Sequence, residues 1–228
     1  MGRNNHSRRE SFKERKVSTR DFAIRFLIVS EDTKSSTDYF KALIKEVQAA
    51  CSGSKVVGIA KDSIVRGCGK GTTRLLKKAQ SIRDNYQTPF DRCWLVFDKD
   101  DFNDFNEAIE KAIDAGFEVA WSNESFELWY LLHFRYYSTA SSRSKCTKVL
   151  EAEIQKCKPS FRYDKGSSSM HSILAEHGDQ RQAIKNAEKL RNTYRDTNYS
   201  SHNPCTHVDR LIKEITDPEE RKKILQKK

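Results

Sequence analysis

Four times between residues 23 and 134, a short apolar run is followed by a stretch of helical periodicity. No other feature limits the fold as strongly. The run 23–30, AIRFLIVS, reads as a buried strand. In the stretch after it, 35–49, Tyr39, Phe40, Leu43, Ile44 and Val47 share a helical face, and Ser36 or Thr37 can cap it. KVVGIA (55–60) reads as a second strand, followed by a glycine-rich turn (67–71) and a helix over about 72–86. The third strand is 93–97, with a helix over 105–115 closed by Gly116; the fourth is 117–121, with an apolar helix over 124–134. This repetition predicts an α/β fold with a four-stranded parallel sheet flanked by helices. From about Tyr137 the pattern changes to a polar connection and three helices, near 146–157, 179–195 and 204–215, the last with Pro204 at a first helical position. The resulting division is a basic arm (1–20), an α/β core (21–137) and a C-terminal helical region (138–228).

Charge enters next. The 228 residues carry a formal net charge of +10, which makes an anionic partner, usually nucleic acid, the first expectation. Half of that charge sits in residues 1–20, with seven Lys/Arg against two Asp/Glu and almost no apolar residues. The segment reads as a flexible phosphate-neutralising arm, neither signal peptide nor membrane anchor. No apolar run reaches membrane-spanning length, so a cytoplasmic protein without a membrane partner is expected. The six cysteines, at 51, 68, 93, 146, 157 and 205, form no metal-finger spacing and predict neither a zinc site nor a disulfide framework.

In open parallel sheets, sites form beyond the carboxyl ends of the strands. Glu31 follows the first strand there, Asp98, Asp100 and Asp101 the third, and Asn123 and Glu124 the fourth. In an extended segment Asp98 and Asp100 point the same way. Two converging carboxylates call for a counter-charge, which an oxygen-preferring divalent cation such as Mg²⁺ supplies. A solvated turn is the plain alternative. Glu31 is a candidate general acid/base or further ligand, or simply a residue favoured by a helix N-terminus. Glu127 interrupts the apolar helix SFELWYLLHF and marks either that helix's wet side or the edge of the site. His133, on the same helix, reads as a hydrogen-bonded packing residue or a support of the site, a role also open to Asn123. GCGKGT (67–72) lacks the spacing of a nucleotide-binding phosphate loop; its amides, Lys70 and Arg74 could hold a phosphate, or the stretch could be a plain connection.

Four stretches carry a family resemblance. FLIVSEDTKSSTDYF (26–40) is similar to a strand followed by C-E-G-x-x-T-E-x-x-Y-F. WLVFDKDDF (94–102) matches V-F-D-x-D, and WSNESFELWYLLHF (121–134) matches S-N-P-x-F-E-x-W-x-L-L-H-F. NPCTHVDRLI (203–212) looks like a closing N-P-S-T-x-V. These patterns resemble the RloB-like family, within the TOPRIM fold of topoisomerases, primases and related nucleases. The chain departs from them at Asp32 (a glycine in the family), Ser35-Ser36 (Thr-Glu) and Glu124 (proline).

The resemblance implies a TOPRIM-like Rossmannoid core and an Mg²⁺- or Mn²⁺-dependent nuclease acting as effector of a bacterial anti-phage, abortive-infection system. RNA such as tRNA is favoured over DNA. An ABC/AAA-type ATPase encoded alongside is the expected partner. Carried over residue by residue, the catalytic set is Glu31, Asp98, Asp100 and Glu127, with Glu31, Asp98 and Asp100 as metal ligands. Arg8, Arg9, Lys13, Arg15, Lys16, Lys34, Lys70, Arg74 and Lys99 are assigned to the nucleic-acid backbone. The competing expectation is a non-catalytic nucleic-acid-binding or regulatory subunit of a defence ATPase complex, motivated by the changes at Asp32, Ser35 and Ser36.

Overall fold

The computed structural model describes residues 22–54, 56–69, 71–99 and 104–227. The basic arm with Arg8, Arg9, Lys13, Arg15 and Lys16 therefore lies outside the described residues, as do Lys70, Asp100 and Asp101.

The first apolar run makes two strands. β1 (Ala23–Ile24) pairs in parallel with β3 (Gly58–Ile59) in a small separate sheet, while β2 (Phe26–Ser30) enters the main sheet. The break falls at Arg25, whose backbone N–H donates to the Asp91 carboxylate at 2.6 Å while its guanidinium bonds Asp62 at 2.8 Å. KVVGIA is thus not the second strand of the main sheet. That place belongs to β4 (Ile64–Gly67), which runs beside β2 with Leu27 opposite Ile64 and Ser30 opposite Gly67.

Two more parallel strands follow, β5 (Arg92–Asp98) and β6 (Glu118–Asn123), and the main sheet has five strands rather than four. The fifth, β7 (Cys205–Thr206), lies antiparallel to β6, giving the order β4-β2-β5-β6-β7. It comes from the stretch expected to open a helix at Pro204. The Asn203–Pro204 bond is cis, and the helix begins only at Val208, after the strand has paired. The Ser122 and Thr206 hydroxyls bond across the two strands at 2.8 Å.

Helices cover both faces. The even residues of β2, Phe26 and Ile28, bury against α1 (Ser35–Cys51), α4 (Glu127–Leu132) and the C-terminal helices α5 (Arg143–Gln155), α6 (Met170–His177), α7 (Gln180–Arg191), α8 (Val208–Thr216) and α9 (Pro218–Gln226). The odd residues, Leu27 and Val29, bury against α2 (Thr72–Asp84) and α3 (Phe105–Asp114) on the opposite face. A strand apolar on both sides belongs in a sheet covered on both sides. The C-terminal helices share the core of the sheet, and α6 and α9 were not anticipated. Trp94 on β5 and Arg92 both donate to Glu214 on α8, at 2.9 and 3.0 Å. No helix among the described residues is long and apolar enough to cross a membrane.

The topology creates one special crevice. From β2 the chain crosses through α1 to β4 on one side, then returns through α2 to β5 on the other. The connections therefore diverge between β2 and β5, where side chains beyond the strand ends are free to form a site.

Candidate metal and phosphate site

That crevice is lined by Ser30, Glu31, Asp32, Ser36 and Asp98 from the strand ends and the start of α1, and by Arg143 and Lys165 from the C-terminal part of the chain. It forms an open cavity of about 190 Å³. Glu31 is fixed through its backbone: its N–H donates to the Val96 carbonyl at 2.8 Å, and its carbonyl accepts the Gly69 N–H at 2.7 Å. The second bond gives the glycine-rich stretch its role. Gly69 has φ +66°, and a Cβ on Gly67 would lie 2.6 Å from both the Asp32 carbonyl oxygen and the Thr33 Cα, so only glycine lets the end of β4 press against the turn that carries Glu31. The stretch shapes the crevice through its backbone, and Gly69 and Gly71 line it.

Asp32 is accommodated without strain, since among the described residues no side-chain-bearing residue has a positive φ. Its carboxylate accepts the backbone N–H groups of Lys34 (2.8 Å) and Ser36 (3.1 Å) and the Ser36 hydroxyl. It thereby satisfies donors at the start of α1 that would otherwise be orphaned. The turn survives loss of the family's glycine, and the crevice gains a carboxylate.

Asp98 ends β5 with its side chain 20% exposed. Burial, and then the neighbouring negative charge of Glu127, hold its carboxyl well above the ordinary carboxylate range. Arg143, with a guanidinium nitrogen 4.0 Å from Oδ2, and the backbone N–H of Phe126 act in the opposite direction. Glu127, the first residue of α4, is only 2% exposed. Its Oε1 accepts the Tyr163 hydroxyl at 2.6 Å, while Oε2 is buried with no hydrogen-bond partner among the described residues. The helix in question starts at Glu127 rather than near Glu124. Glu124 instead accepts the Arg143 backbone N–H at 3.1 Å and the Asn203 amide at 3.3 Å. That contact ties the start of α5 to the end of β6 and brings Arg143 to Asp98.

The structure thus brings Glu31 and Asp98 into one crevice and sets Glu127 beside Asp98. Asn123 is buried outside the lining of the crevice; its amide donates to the Ser200 carbonyl at 3.1 Å and its Oδ1 has no partner among the described residues. Lys34 and Arg74 are exposed and outside the lining, and Lys99 is half-buried, with its N–H on the Ser122 carbonyl at 2.8 Å. Asp32, Arg143, Tyr163 and Lys165 were not singled out as site residues in the sequence. Asp32 and Arg143 sit in polar stretches, and Tyr163 and Lys165 in an irregular segment, FRYDKG, where no periodicity marks them.

His133 does not reach the crevice. It is buried between α4 and α7, with Nδ1 2.9 Å from the Trp129 carbonyl and its own carbonyl accepting the Asp179 N–H at 3.0 Å. Burial pushes its imidazole down to about 4, opposed by its bond to Trp129 and by Asp179. The unfolded chain, with a pKa near 6.5, binds a proton that the folded chain refuses. Stability from this residue is therefore complete above about pH 6.5 and lost as pH falls towards 4. Between pH 7 and pH 5 it should account for about 2 kcal/mol. Urea unfolding at both pH values should show a shallower pH dependence for His133→Gln than for wild type; equal slopes would contradict the assignment.

A metal can be weighed against these donors. Among the described residues no group of three or more His, Cys, Asp or Glu side chains is placed to hold an ion. Mg²⁺, however, needs only one or two carboxylates, completing its shell with water and phosphate oxygens. An all-oxygen donor set and an orphaned, buried Glu127 oxygen beside Asp98 fit such a hard cation.

The family model described as RloB-like protein matches residues 26–215. No curated protein and no solved structure matches the chain.

Proposed function

The chain belongs to the RloB-like family, and on that premise we propose that it is a metal-dependent nuclease with a TOPRIM-like core, cleaving phosphodiesters in RNA such as tRNA in preference to DNA. One observation carries the reading. At the switch point of the sheet the carboxylates of Glu31, Asp32 and Asp98 line one crevice, and Glu127, whose negative charge acts on Asp98, keeps a buried oxygen without a partner among the described residues. Buried polar atoms are nearly always satisfied, and a bare carboxylate oxygen is a place that an ion or an ordered water can fill.

Asp98 and Glu127 would hold the cation, with Glu31 at the same crevice and Asp100 as a further ligand. When bound, the ion would polarise a phosphoryl oxygen and lower the pKa of a coordinated water. The chain's own groups do the rest. Glu31 stands on a backbone pinned to β5 and to the glycine turn, which suits a group that must accept or return a proton at a defined place. Arg143 and Lys165 line the same crevice as the carboxylates, where their charge would hold a phosphate.

The excess positive charge of the chain, including the arm, would retain the polyanion and make binding salt-dependent. An effector role in anti-phage defence beside an ABC/AAA-type ATPase follows from the family reading and belongs to the same proposal. The test is end-labelled tRNA, single-stranded DNA and duplex DNA incubated with purified protein and Mg²⁺ or Mn²⁺, alone and with the neighbouring ATPase. Cleavage by wild type and its loss in Asp98→Ala and Glu31→Gln are expected. Absence of cleavage in every combination, or equal cleavage by the variants, overturns the reading and favours a binding subunit, whose salt-sensitive nucleic-acid affinity would survive loss of the carboxylates.

A further inference from the structure

We propose that Tyr163 is a positioning residue of the carboxylate site: its hydroxyl holds Oε1 of Glu127 so that Oε2 is presented as a ligand to a divalent cation shared with Asp98. The proposal rests on the metal-dependent reading and adds to it a segment that no motif marks. Tyr163 lies between α5 and α6, in an irregular stretch that is nevertheless fixed at several points. Phe161 is buried in the core, and its carbonyl accepts the Gln155 amide at 2.9 Å. The Tyr163 backbone N–H donates to Glu151 at 2.7 Å. On the far side, the Lys165 carbonyl accepts the Ser35 hydroxyl at 2.6 Å, tying the segment to the first turn of α1. The phenol is therefore pinned from both directions before it meets Glu127.

A purely structural tyrosine would be one of several groups neutralising or satisfying a buried acid. Here only one of the two oxygens is served. The other is buried and bare among the described residues. A partner that fixes one oxygen and leaves its twin open is what an orienting group does for a ligating carboxylate, and loss of such partners commonly costs ten- to a hundredfold in metal affinity. The same strap brings Lys165 to the crevice, so one segment both aims the acid and carries a cation for the phosphate.

The experiment measures Mn²⁺ binding to the full chain by electron paramagnetic resonance of the free ion, without nucleic acid and without a cleavage readout. Wild type is expected to bind one Mn²⁺, and Tyr163→Phe to bind it about tenfold more weakly. In a Glu127→Gln background, Tyr163→Phe should add less than about twofold, because its effect runs through Glu127. Equal binding by wild type and Tyr163→Phe, or the same loss with Glu127 present or replaced, overturns the proposal. Should Tyr163→Phe fail to fold, Ser35→Ala decides. It removes the tie between the strap and α1 while leaving Tyr163 and Glu127 intact; weakening of about threefold or more supports the proposal and unchanged affinity overturns it. Failure of wild type itself to bind Mn²⁺, also with inorganic phosphate added to complete the shell, is a separate result, which removes the metal reading and this proposal with it.

Discussion

Asp98→Asn should make the protein more stable and inactive at once. The carboxyl of Asp98 is held well above the ordinary range by burial and by Glu127, so keeping it ionised costs the fold free energy. Asparagine has the same shape and can still accept the Phe126 N–H, yet it brings no charge to the crevice. Urea unfolding at pH 7 should therefore need a higher denaturant concentration for the variant than for wild type. Metal-supported cleavage should fall at least about a hundredfold, as it does when a group stabilising transition-state charge is removed. A residue serving the fold alone would give the opposite pattern: lower stability, with activity tracking the folded fraction. Stability and function opposed at one position is the expected mark of a site whose carboxylates are kept together against their own repulsion.

Asp209→Ala should produce the largest loss of stability. Asp209 on α8 is fully buried and receives both arms of the Arg191 guanidinium, one at 2.9 Å; Arg191 also donates to the Thr206 carbonyl of β7 at 3.1 Å. One charge pair thus joins α7, α8 and the edge strand. Removing the acid leaves a largely buried guanidinium without its counter-ion, a change that costs about 3–5 kcal/mol. Typical domains are stable by only about 5–15 kcal/mol, so much of the margin would go. Because α7 and α8 share the core with Phe26 and Ile28, the chain should still unfold in one transition at a lower denaturant concentration. A loss under about 1 kcal/mol, or separate melting of the C-terminal helices while the sheet persists, would contradict this description.

The strand–helix alternation was legible because each central strand is a run of apolar residues long enough to stand out, as in WLVF of β5. β4 was not legible. Its IVRG is short, half-exposed and merges into a glycine-rich turn, whereas KVVGIA looks more like a strand and pairs only with two residues of β1. β7 was hidden for a similar reason: two residues that pair with β6 leave no period to detect.

The site followed the same logic. Glu31 and Asp98 stood out as acids at the ends of apolar strands, and Glu127 as an acid inside an apolar helix, and all three lie where a crevice is built or beside it. Tyr163 and Lys165 are more than thirty residues from any of them in sequence, in a stretch without periodicity. Their place depends on the Ser35–Lys165 and Glu151–Tyr163 bonds, which only the folded chain reveals. Asp32 shows the converse: a departure from the family pattern that looked disruptive is absorbed by donors of its own helix.

The central claim is that the crevice between β2 and β5 binds a divalent cation through Asp98. Anomalous diffraction from crystals soaked in Mn²⁺ tests it most directly. A manganese peak bonded to the Asp98 carboxylate is expected in wild type and should be lost in Asp98→Asn crystals. No peak at Asp98, or a peak that persists unchanged in the variant, would contradict it.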